Sequence, residues 1–552
     1  MLAFLEPLEE LADYQEIVRK RGKAEGILQI AGCVSSQKTH LMYALGDGFE
    51  YRVIVFSSEE KAKQAYEEYK MLEENTFLYP AKDLLFYHAD IKGAALTGKR
   101  MEVLKKLTEK KNREPVTVIT TADAFLDGLP SKEKLWESRI EIEAGAVIDF
   151  QKLQEELVHL GYERESQIEG PGQFAVRGGI LDVYPLTEEI PVRIELWGDE
   201  IDSIRSFDVE SQRSVENMEQ VVIYPATENV EKEEQAVSFA EYFPKEKSLF
   251  FFDEPVRLQE TLEAVEKEYF HSFESRKNAG MTEEADEIRV FQTKEIIEKF
   301  NTRYGIGLTT LETRCGGFKV RDVYSIQAAG VNPYNNSFEM LTQDLKKLKR
   351  QGYRVILVSG SRTRAKRLAE DLRDYDLSSF YSEDMVRTVR PGEIMVVYGC
   401  VAEGYEYPML KFMVISESDI FGKRKKKRRR KVYEGQKIQE FAELKPGDYV
   451  VHENHGLGVY QGIEKVEVDK VTRDYMKISY ADGGILYILA TQMDLIQKYA
   501  GADAKPPKLN KLGTPQWNKT KSQVKKAVQV IAQDLVELYA VRQQTEGFVY
   551  SP

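Results

Sequence analysis

The chain has 552 residues, which exceeds what one hydrophobic core organises, so several domains of about 100–200 residues are expected. Hydrophobic residues make up 42% of the sequence and charged residues 31%, which excludes a disordered, fibrous or membrane-embedded chain. The formal net charge of -13 arises from 78 Lys+Arg against 91 Asp+Glu. It excludes a surface that is basic all over and binds nucleic acid without specificity.

Cysteine and histidine usage argues against metal chemistry. Cys33, Cys315 and Cys400 lie far apart, and the six histidines form no HxxxH pair, so no disulfide framework and no metal site are expected. His452 and His455 lie in a Gly-rich turn and are interpreted as polar turn residues. Acidic residues interrupt the N-terminal leucines and no window approaches ~18 consecutive apolar residues, so we expect a cytoplasmic protein without a membrane partner.

The first predicted domain is an α/β layer interrupted by an insertion. From residue 27 onward, short apolar runs alternate with helical stretches, which is typical of a parallel sheet covered by helices. Residues 1–138 form the first predicted segment of this domain, and residues 225–315 form the second. Between them, shorter strands rich in glycine and charge predict an α+β insertion over residues 139–224.

Further domains follow in order along the chain. A second small α/β domain is predicted over residues 320–421, followed by a basic linker over residues 422–440. Closely spaced strands with turn signals predict a small β-barrel over residues 441–500, and residues 501–552 are expected to form a linker and a long C-terminal helix.

Nine consecutive basic residues open the linker, and mutual repulsion is expected to keep them extended in solvent. Two interpretations stay open: a salt-sensitive contact with nucleic acid, or a solvated linker. The run comprises Lys423, Arg424, Lys425, Lys426, Lys427, Arg428, Arg429, Arg430 and Lys431.

A degenerate phosphate-binding loop follows the first predicted strand. Residues 32–39 read GCVSSQKT, in which Gly32 opens the loop and Lys38 and Thr39 close it as in a P-loop. Gln37 stands where a second glycine is needed, and its side chain would obstruct the tight turn. We predict an inactive loop, with weak nucleotide binding as the alternative. The acidic pair at residues 253–254 precedes a proline and is interpreted as structural.

A candidate protein-docking face lies in the predicted insertion. Arg177 and Arg193 flank strands whose alternate residues are apolar, so both are expected on one exposed face. Trp197 follows Arg193 by four residues and therefore lies on the same side of a strand. Two guanidinium groups and a large aromatic ring form a composition typical of binding hot spots. The alternative is a set of salt bridges on a solvated sheet, with Trp197 in the core.

The insertion resembles the UvrB-homologous module of the bacterial transcription-repair coupling factor family (Mfd). The resemblance rests on RGGILDVYP at residues 177–185, on DEIDSIR at residues 199–205 and on SQRS at residues 211–214. YPAKDLLFY at residues 79–87 is similar to the first segment of the same family, which carries a degenerate P-loop. The resemblance implies that Arg177, Arg193 and Trp197 dock the repair ATPase UvrA, although Trp197 stands where phenylalanine is expected.

The predicted barrel is similar to the CarD-like, Tudor-like domain by which this family binds the RNA polymerase β subunit. The matching residues are LKPGDYVVHENHGLGVYQGI at 444–463 and DYMKISYADGGILYI at 474–488. In the family, an exposed strand of this domain pairs with a sheet of the polymerase, and the corresponding residues here are Tyr475, Met476, Lys477 and Ile478. The alternative is that this strand is internal and that Met476 packs in the core.

The family continues into a two-lobed motor that binds ATP and Mg and acts on double-stranded DNA upstream of stalled polymerase. We expect that motor to be missing from this sequence, which is interpreted as the N-terminal part of a translocase that displaces stalled polymerase. The resemblance therefore implies a scaffold that links RNA polymerase to nucleotide excision repair, with no catalytic residues and no cofactor of its own. Two alternatives stay open: a UvrB-like weak ATPase or helicase relative, and a CarD-like transcription regulator without a repair role.

Overall fold

The computed structural model describes residues 2–82, 94–109, 114–209, 211–228, 235–278, 290–383, 387–422, 446–452, 455–468, 471–489, 496–498, 509–511 and 517. The chain divides into two compact units, Met1–Lys425 and Lys426–Pro552. The basic run at residues 423–431 lies outside the described residues, as does nearly all of the C-terminal segment in which the long helix is predicted.

A parallel sheet forms the body of the first unit. Its strands, numbered along the chain, are β1 (Gly26–Ala31), β2 (Tyr51–Phe56), β3 (Thr76–Tyr79), β4 (Val116–Thr121), β13 (Ser248–Asp253), β14 (Tyr304–Leu308) and β15 (Val320–Ser325). Their order in the sheet is β15-β1-β14-β13-β2-β4-β3, and all of the pairs are parallel. Every position of β1, β2, β4 and β13 is buried, as expected for a sheet covered on both faces.

Helices cover this sheet and connect its strands. They are α1 (Leu2–Leu5), α2 (Ala12–Lys20), α3 (Ser35–Leu45), α4 (Glu59–Lys70), α5 (Ala94–Thr108), α6 (Lys132–Glu137), α8 (Pro255–Asn278) and α9 (Thr293–Asn301). The strand β15 belongs to this sheet, so the prediction that the second α/β domain begins at residue 320 is wrong by one strand. Within the residues that the structure covers, no helix is long and apolar enough to cross a membrane.

The predicted insertion is present, and its two ends pair with each other. Strand β5 (Ile140–Glu143) enters the insertion and strand β12 (Gln220–Ile223) leaves it, and the two form an antiparallel pair. Between them lie α7 (Phe150–His159), β6 (Glu163–Arg164), β7 (Gln173–Arg177), β8 (Ile180–Val183), β9 (Val192–Trp197), β10 (Glu200–Phe207) and β11 (Ser214–Met218). The six strands form a second sheet in the order β11-β10-β9-β8-β7-β6.

Helix α7 covers one face of the inserted sheet. Asp149 caps its N-terminus by accepting hydrogen bonds from the backbone N–H groups of Gln151 and Lys152, each at 3.0 Å. Leu153 and Leu157 of the helix share a core with Phe174, Leu181, Val183 and Ile194 of the sheet. The opposite sheet face carries a smaller buried cluster of Ile168, Ala175 and Phe207 and is exposed at Arg177 and Trp197.

A second α/β layer packs against the first. Its elements are β16 (Ala329–Gly330), α10 (Phe338–Arg350), β17 (Arg354–Ser359), α11 (Arg362–Arg373), β18 (Ser379–Ser382), β19 (Ile394–Tyr398), β20 (Tyr405–Tyr407), β21 (Phe412–Ser416) and α12 (Glu417–Phe421). The strand order is β16-β20-β21-β17-β19-β18. One continuous core includes Leu8 and Leu41 of the first layer with Ile356 and Met395 of the second. The segment predicted as a separate small domain is thus one body with the first layer.

The second unit contains a five-stranded antiparallel sheet where the small barrel is predicted. Its strands are β22 (Tyr449–His452), β23 (Gly456–Val468), β24 (Val471–Ser479), β25 (Ile485–Leu489) and β26 (Ile496–Lys498), in the order β25-β24-β23-β22-β26. Val450, Tyr460, Met476 and Ile478 are among the residues of its core. Among the strands described in this unit, β25 and β26 stand at the two edges.

Candidate functional site

The strand register of the insertion brings the predicted docking residues to one face. Arg193 of β9 lies opposite Asp182 of β8, and Arg177 of β7 lies opposite Ile180, two residues earlier in β8. Directly opposed residues of antiparallel strands project to the same side, as do residues two apart in one strand. Trp197 is four residues past Arg193 in β9 and joins this face. The three residues therefore share one side of the sheet, and their role in docking stays a prediction.

A buried carboxylate organises the two arginines. Asp182 is 1% exposed, and its Oδ2 accepts a hydrogen bond from Arg177 Nη2 at 2.5 Å. Arg193 binds the same carboxylate at two points, Nε to Oδ1 at 2.6 Å and Nη2 to Oδ2 at 3.0 Å. Paired, hydrogen-bonded geometry of this kind offsets the cost of burying the charges.

The two arginines differ in what they offer to a partner. The guanidinium of Arg193 also donates to Gln212 Oε1 at 2.8 Å and lies 4.3 Å from the ring centre of Phe207. Its hydrogen bonds to Asp182 outweigh burial and raise the pKa of Arg193. The side chain of Arg193 is 14% exposed, whereas that of Arg177 is 46% exposed. Arg177 is thus the residue that can bind a carboxylate of a partner, while Arg193 positions Asp182.

Trp197 stands at the corner of a tight hairpin. It pairs with Glu200, and the intervening Gly198 has a φ of +63°, a conformation that glycine adopts without strain. The side chain of Trp197 is 84% exposed, so the alternative is wrong in placing it in the core, although the salt bridges of that alternative are present. An exposed tryptophan on the same face as an arginine is a composition typical of a binding hot spot.

The degenerate loop follows β1 and leads into α3, as predicted. Gly32 has a φ of +84°, and Gln37 is fully buried, with its Oε1 accepting a hydrogen bond from the backbone N–H of Val34 at 3.1 Å. The side chain of Gln37 therefore folds back on the loop itself. Thr39 is also buried, in the first half of α3.

Lys38, the residue that would bind phosphate, is held by carboxylates of the chain itself. Its Nζ donates to Asp253 Oδ1 at 2.6 Å and to Glu254 Oε1 at 2.7 Å, and Lys61 Nζ also binds Asp253 at 3.0 Å. Burial alone would lower the pKa of Lys38, but the two adjacent carboxylates outweigh burial and raise it. Asp253 at the end of β13 and the following Glu254 thus neutralise the lysine, consistent with the structural role predicted for this pair.

The second α/β layer covers the first turn of α3, which is where a phosphate group would bind. Ser35 Oγ donates to the carboxylate of Glu403, and the backbone N–H of Glu403 donates to Ser36 Oγ at 3.1 Å. Ser36 Oγ and the backbone N–H of Ala402 both donate to Glu68 Oε1, at 2.8 and 3.0 Å. A nucleotide would have to replace these contacts to reach the loop.

The strand predicted to pair with RNA polymerase is internal. In β24, Tyr475 lies between Glu464 of β23 and Leu489 of β25, so both backbone edges of the strand are occupied. Met476 and Ile478 are fully buried and Lys477 is half-buried. The prediction of an exposed strand at Tyr475, Met476, Lys477 and Ile478 is wrong, and its alternative, a core position for Met476, is correct.

Asp182 is the residue that sequence reasoning missed, although it lies within the RGGILDVYP motif. The available signal was a carboxylate in an otherwise apolar strand, because a buried charge must be paired. Within the part of the chain that the structure covers, no group of three His, Cys, Asp or Glu side chains is arranged to hold a metal.

The fold and these surfaces define a class: a split α/β body with a degenerate P-loop, an inserted docking module and a separate antiparallel sheet. Two family models match the chain, one described as the UvrB interaction domain over residues 140–229 and one as the CarD-like/TRCF RID domain over residues 444–500. These ranges coincide with the inserted module and with the sheet of the second unit.

The relatives named transcription-repair-coupling factor match nearly the whole chain. Identity to the one from Bacillus subtilis (strain 168) is 28% over 612 aligned residues, covering 99% of this chain and 51% of the relative. Identity to those from Staphylococcus aureus strains RF122/ET3-1 and MRSA252 is 30% over 540 residues, covering 86% of this chain and 45% of each relative. The resemblance to the transcription-repair coupling factors is thereby confirmed. The chain spans about half the length of these curated relatives.

Proposed function

We propose that this chain is a transcription-repair coupling scaffold, which links stalled RNA polymerase to nucleotide excision repair by recruiting UvrA. The observation that carries the proposal is the face of the inserted module on which the exposed Trp197 lies together with the arginines that bind Asp182. This module is the one that matches the UvrB interaction domain.

The chemistry of the face suits a protein partner. Arg177 keeps about half of its side chain exposed and can form a charge-assisted pair with a carboxylate of UvrA. Trp197 offers a large ring that can enter an apolar pocket. Arg193 contributes by holding Asp182, and through it Arg177, in place.

The second unit supplies the proposed contact with the RNA polymerase β subunit. An extended segment of a partner can add only to the edge of a sheet, and β24 is paired on both sides. We therefore assign the contact to the edge strand β25, where Ile485 is 49% exposed. This assignment replaces residues 475–478 as the polymerase-binding segment.

In this function the chain binds no nucleotide cofactor and has no catalytic role of its own. Gln37 fills the loop, Lys38 is neutralised by two carboxylates, and residues 402–403 cover the start of α3. ATP, Mg and translocation on upstream DNA belong to the motor that the family resemblance implies. A contact of residues 423–431 with nucleic acid and a cytoplasmic location stay predictions from the sequence.

The test is a pull-down of the purified chain against UvrA and the RNA polymerase β subunit separately, with ATPase activity measured on the same preparation. Binding to both partners without ATP turnover is the expected result. Polymerase binding without UvrA binding would favour a CarD-like regulator instead. ATP turnover that Lys38→Ala abolishes would favour the weak ATPase.

A further inference from the structure

Two exposed apolar side chains lie at one end of the inserted sheet, separated by one strand. Trp197 is 84% exposed and Val147 is 76% exposed, which makes them the most exposed large hydrophobic residues among those described in the insertion. A single exposed valine needs no explanation, but two strongly exposed apolar side chains on one face of a sheet favour a contact surface.

The backbone places Val147 in the sheet beside Trp197. Val147 forms an antiparallel bridge with Glu200, and Glu200 pairs with Trp197 on its other side. Hydrogen bonds from the N–H of Gly145 to Ile201 O and from the N–H of Ile148 to Asp199 O, both at 2.8 Å, fix this register. Residues 145–148 therefore extend the sheet past the beginning of β10.

Val147 projects to the docking face rather than to the core. Its neighbours Ala146 and Ile148 pack against the core of the insertion, so the alternation of a strand directs Val147 to the other side. Residues paired across antiparallel strands share a face, which puts Val147, Glu200 and Trp197 in one row. With about 5 Å between paired side chains, Val147 lies roughly 10 Å from Trp197.

This row continues the face that carries Arg177. We propose that Val147 belongs to the UvrA-docking surface, and that Val147 and Trp197 contact apolar side chains of UvrA on either side of Glu200 while Arg177 binds a carboxylate of UvrA. The inference rests on the proposed function. It extends the surface by two strands beyond β9, namely β10 and residues 145–148, and it assigns a specificity-determining role to an apolar residue.

The experiment measures the dissociation constant of purified UvrA for the full chain and its variants by biolayer interferometry. Val147→Lys replaces an apolar contact of the row with a cation and is expected to weaken binding about tenfold. Val158→Lys is the matched control, because Val158 is 56% exposed on α7, which packs on the opposite face of the sheet. It is expected to bind as the unchanged chain does, and equal melting temperatures exclude misfolding of either variant.

The outcomes separate this inference from the proposed function. If the unchanged chain binds UvrA and Trp197→Ala weakens binding, but Val147→Lys binds as tightly as Val158→Lys does, the role of Val147 is overturned and the docking function stands. If the unchanged chain does not bind UvrA at all, the docking function falls and the role of Val147 falls with it.

Discussion

At the residue scale, Asp182 controls the docking face without belonging to its exposed surface. It is buried, yet it determines where both arginines lie. Arg193 in turn is mostly enclosed by Asp182, Gln212 and Phe207. The position of the exposed Arg177 side chain therefore depends on a buried network of charged side chains. A substitution in that network is expected to change partner binding without removing a direct contact to the partner.

We expect Asp182→Ala to destabilise the insertion, because it leaves the guanidinium of Arg193 buried without its carboxylate. Breaking a buried pair from one side costs about 3 kcal/mol. Urea unfolding followed by tryptophan fluorescence measures the loss. Asp202→Ala, at an exposed position of β10, is the matched control and should change stability by less than about 0.5 kcal/mol. Equal stability of the two variants would contradict the central role of Asp182.

His40 makes the contact between the two α/β layers sensitive to acid. It is fully buried, with Nδ1 at 3.0 Å from Tyr407 Oη and Nε2 at 2.9 Å from Phe4 O, and burial lowers its pKa to about 4. The unfolded histidine, with a pKa of about 6.5, takes up a proton first as the pH falls. Stability therefore declines between about pH 6.5 and about pH 4, by an amount on the order of 3 kcal/mol.

The check on His40 is a comparison of unfolding free energies at pH 7 and pH 4.5 in the unchanged chain and in His40→Leu. The leucine variant cannot titrate at this position, so its stability should depend less steeply on pH. An identical pH dependence in both chains would show that His40 does not carry the effect.

At the element scale, the sequence predicted the alternation of strands and helices and the side to which strand residues point, because both follow from local periodicity. The alternation around Arg177 and Arg193 placed them on one side of the sheet, as the register of β7, β8 and β9 shows. Strand neighbours are set by contacts between distant parts of the chain, and periodicity does not record them. For this reason β15 was assigned to the wrong sheet and β24 was taken as exposed.

The limit of local periodicity also explains why the second α/β layer was predicted as a separate domain. Periodicity shows that a strand or helix has an apolar face, but not which element covers it. Tyr405 and Tyr407 of β20 pack on His40 of α3, so the core of that layer is shared with the first. The sequence therefore predicted an α/β segment here, but not that its core is shared with the first layer.

Two substitutions in the second unit distinguish an edge strand from an internal one. Met476→Ala should lower the stability of this unit by about 2–4 kcal/mol, because the side chain is fully buried in the core. Ile485→Lys, at the exposed start of β25, should preserve stability and weaken binding to the polymerase β subunit. Chemical unfolding and a binding titration on the same samples measure both. Normal polymerase binding by a well-folded Ile485→Lys variant would argue against β25.

At the scale of the whole molecule, the two proposed docking surfaces lie in different compact units. The Arg177 and Trp197 face belongs to Met1–Lys425, and β25 belongs to Lys426–Pro552. Neither surface shares a residue with the other, so each partner is expected to be recognised separately.

Binding measurements on paired variants test this independence. Arg177→Ala/Trp197→Ala should lose UvrA binding by tenfold or more while keeping the affinity for polymerase. Ile485→Lys should do the reverse. A loss of both affinities in either variant, with the fold retained, would mean that the two sites are energetically coupled.

The antiparallel pair of β5 and β12 holds the two ends of the insertion side by side. Ile140 lies directly opposite Ile223, so the chain leaves the α/β body and returns to it at nearly the same point. A segment with adjacent ends can be gained, lost or exchanged in a single genetic event without changing the order of strands in the parent sheet. An α/β body of this kind could thus acquire recognition of a new partner in one step, without rearrangement of its own core.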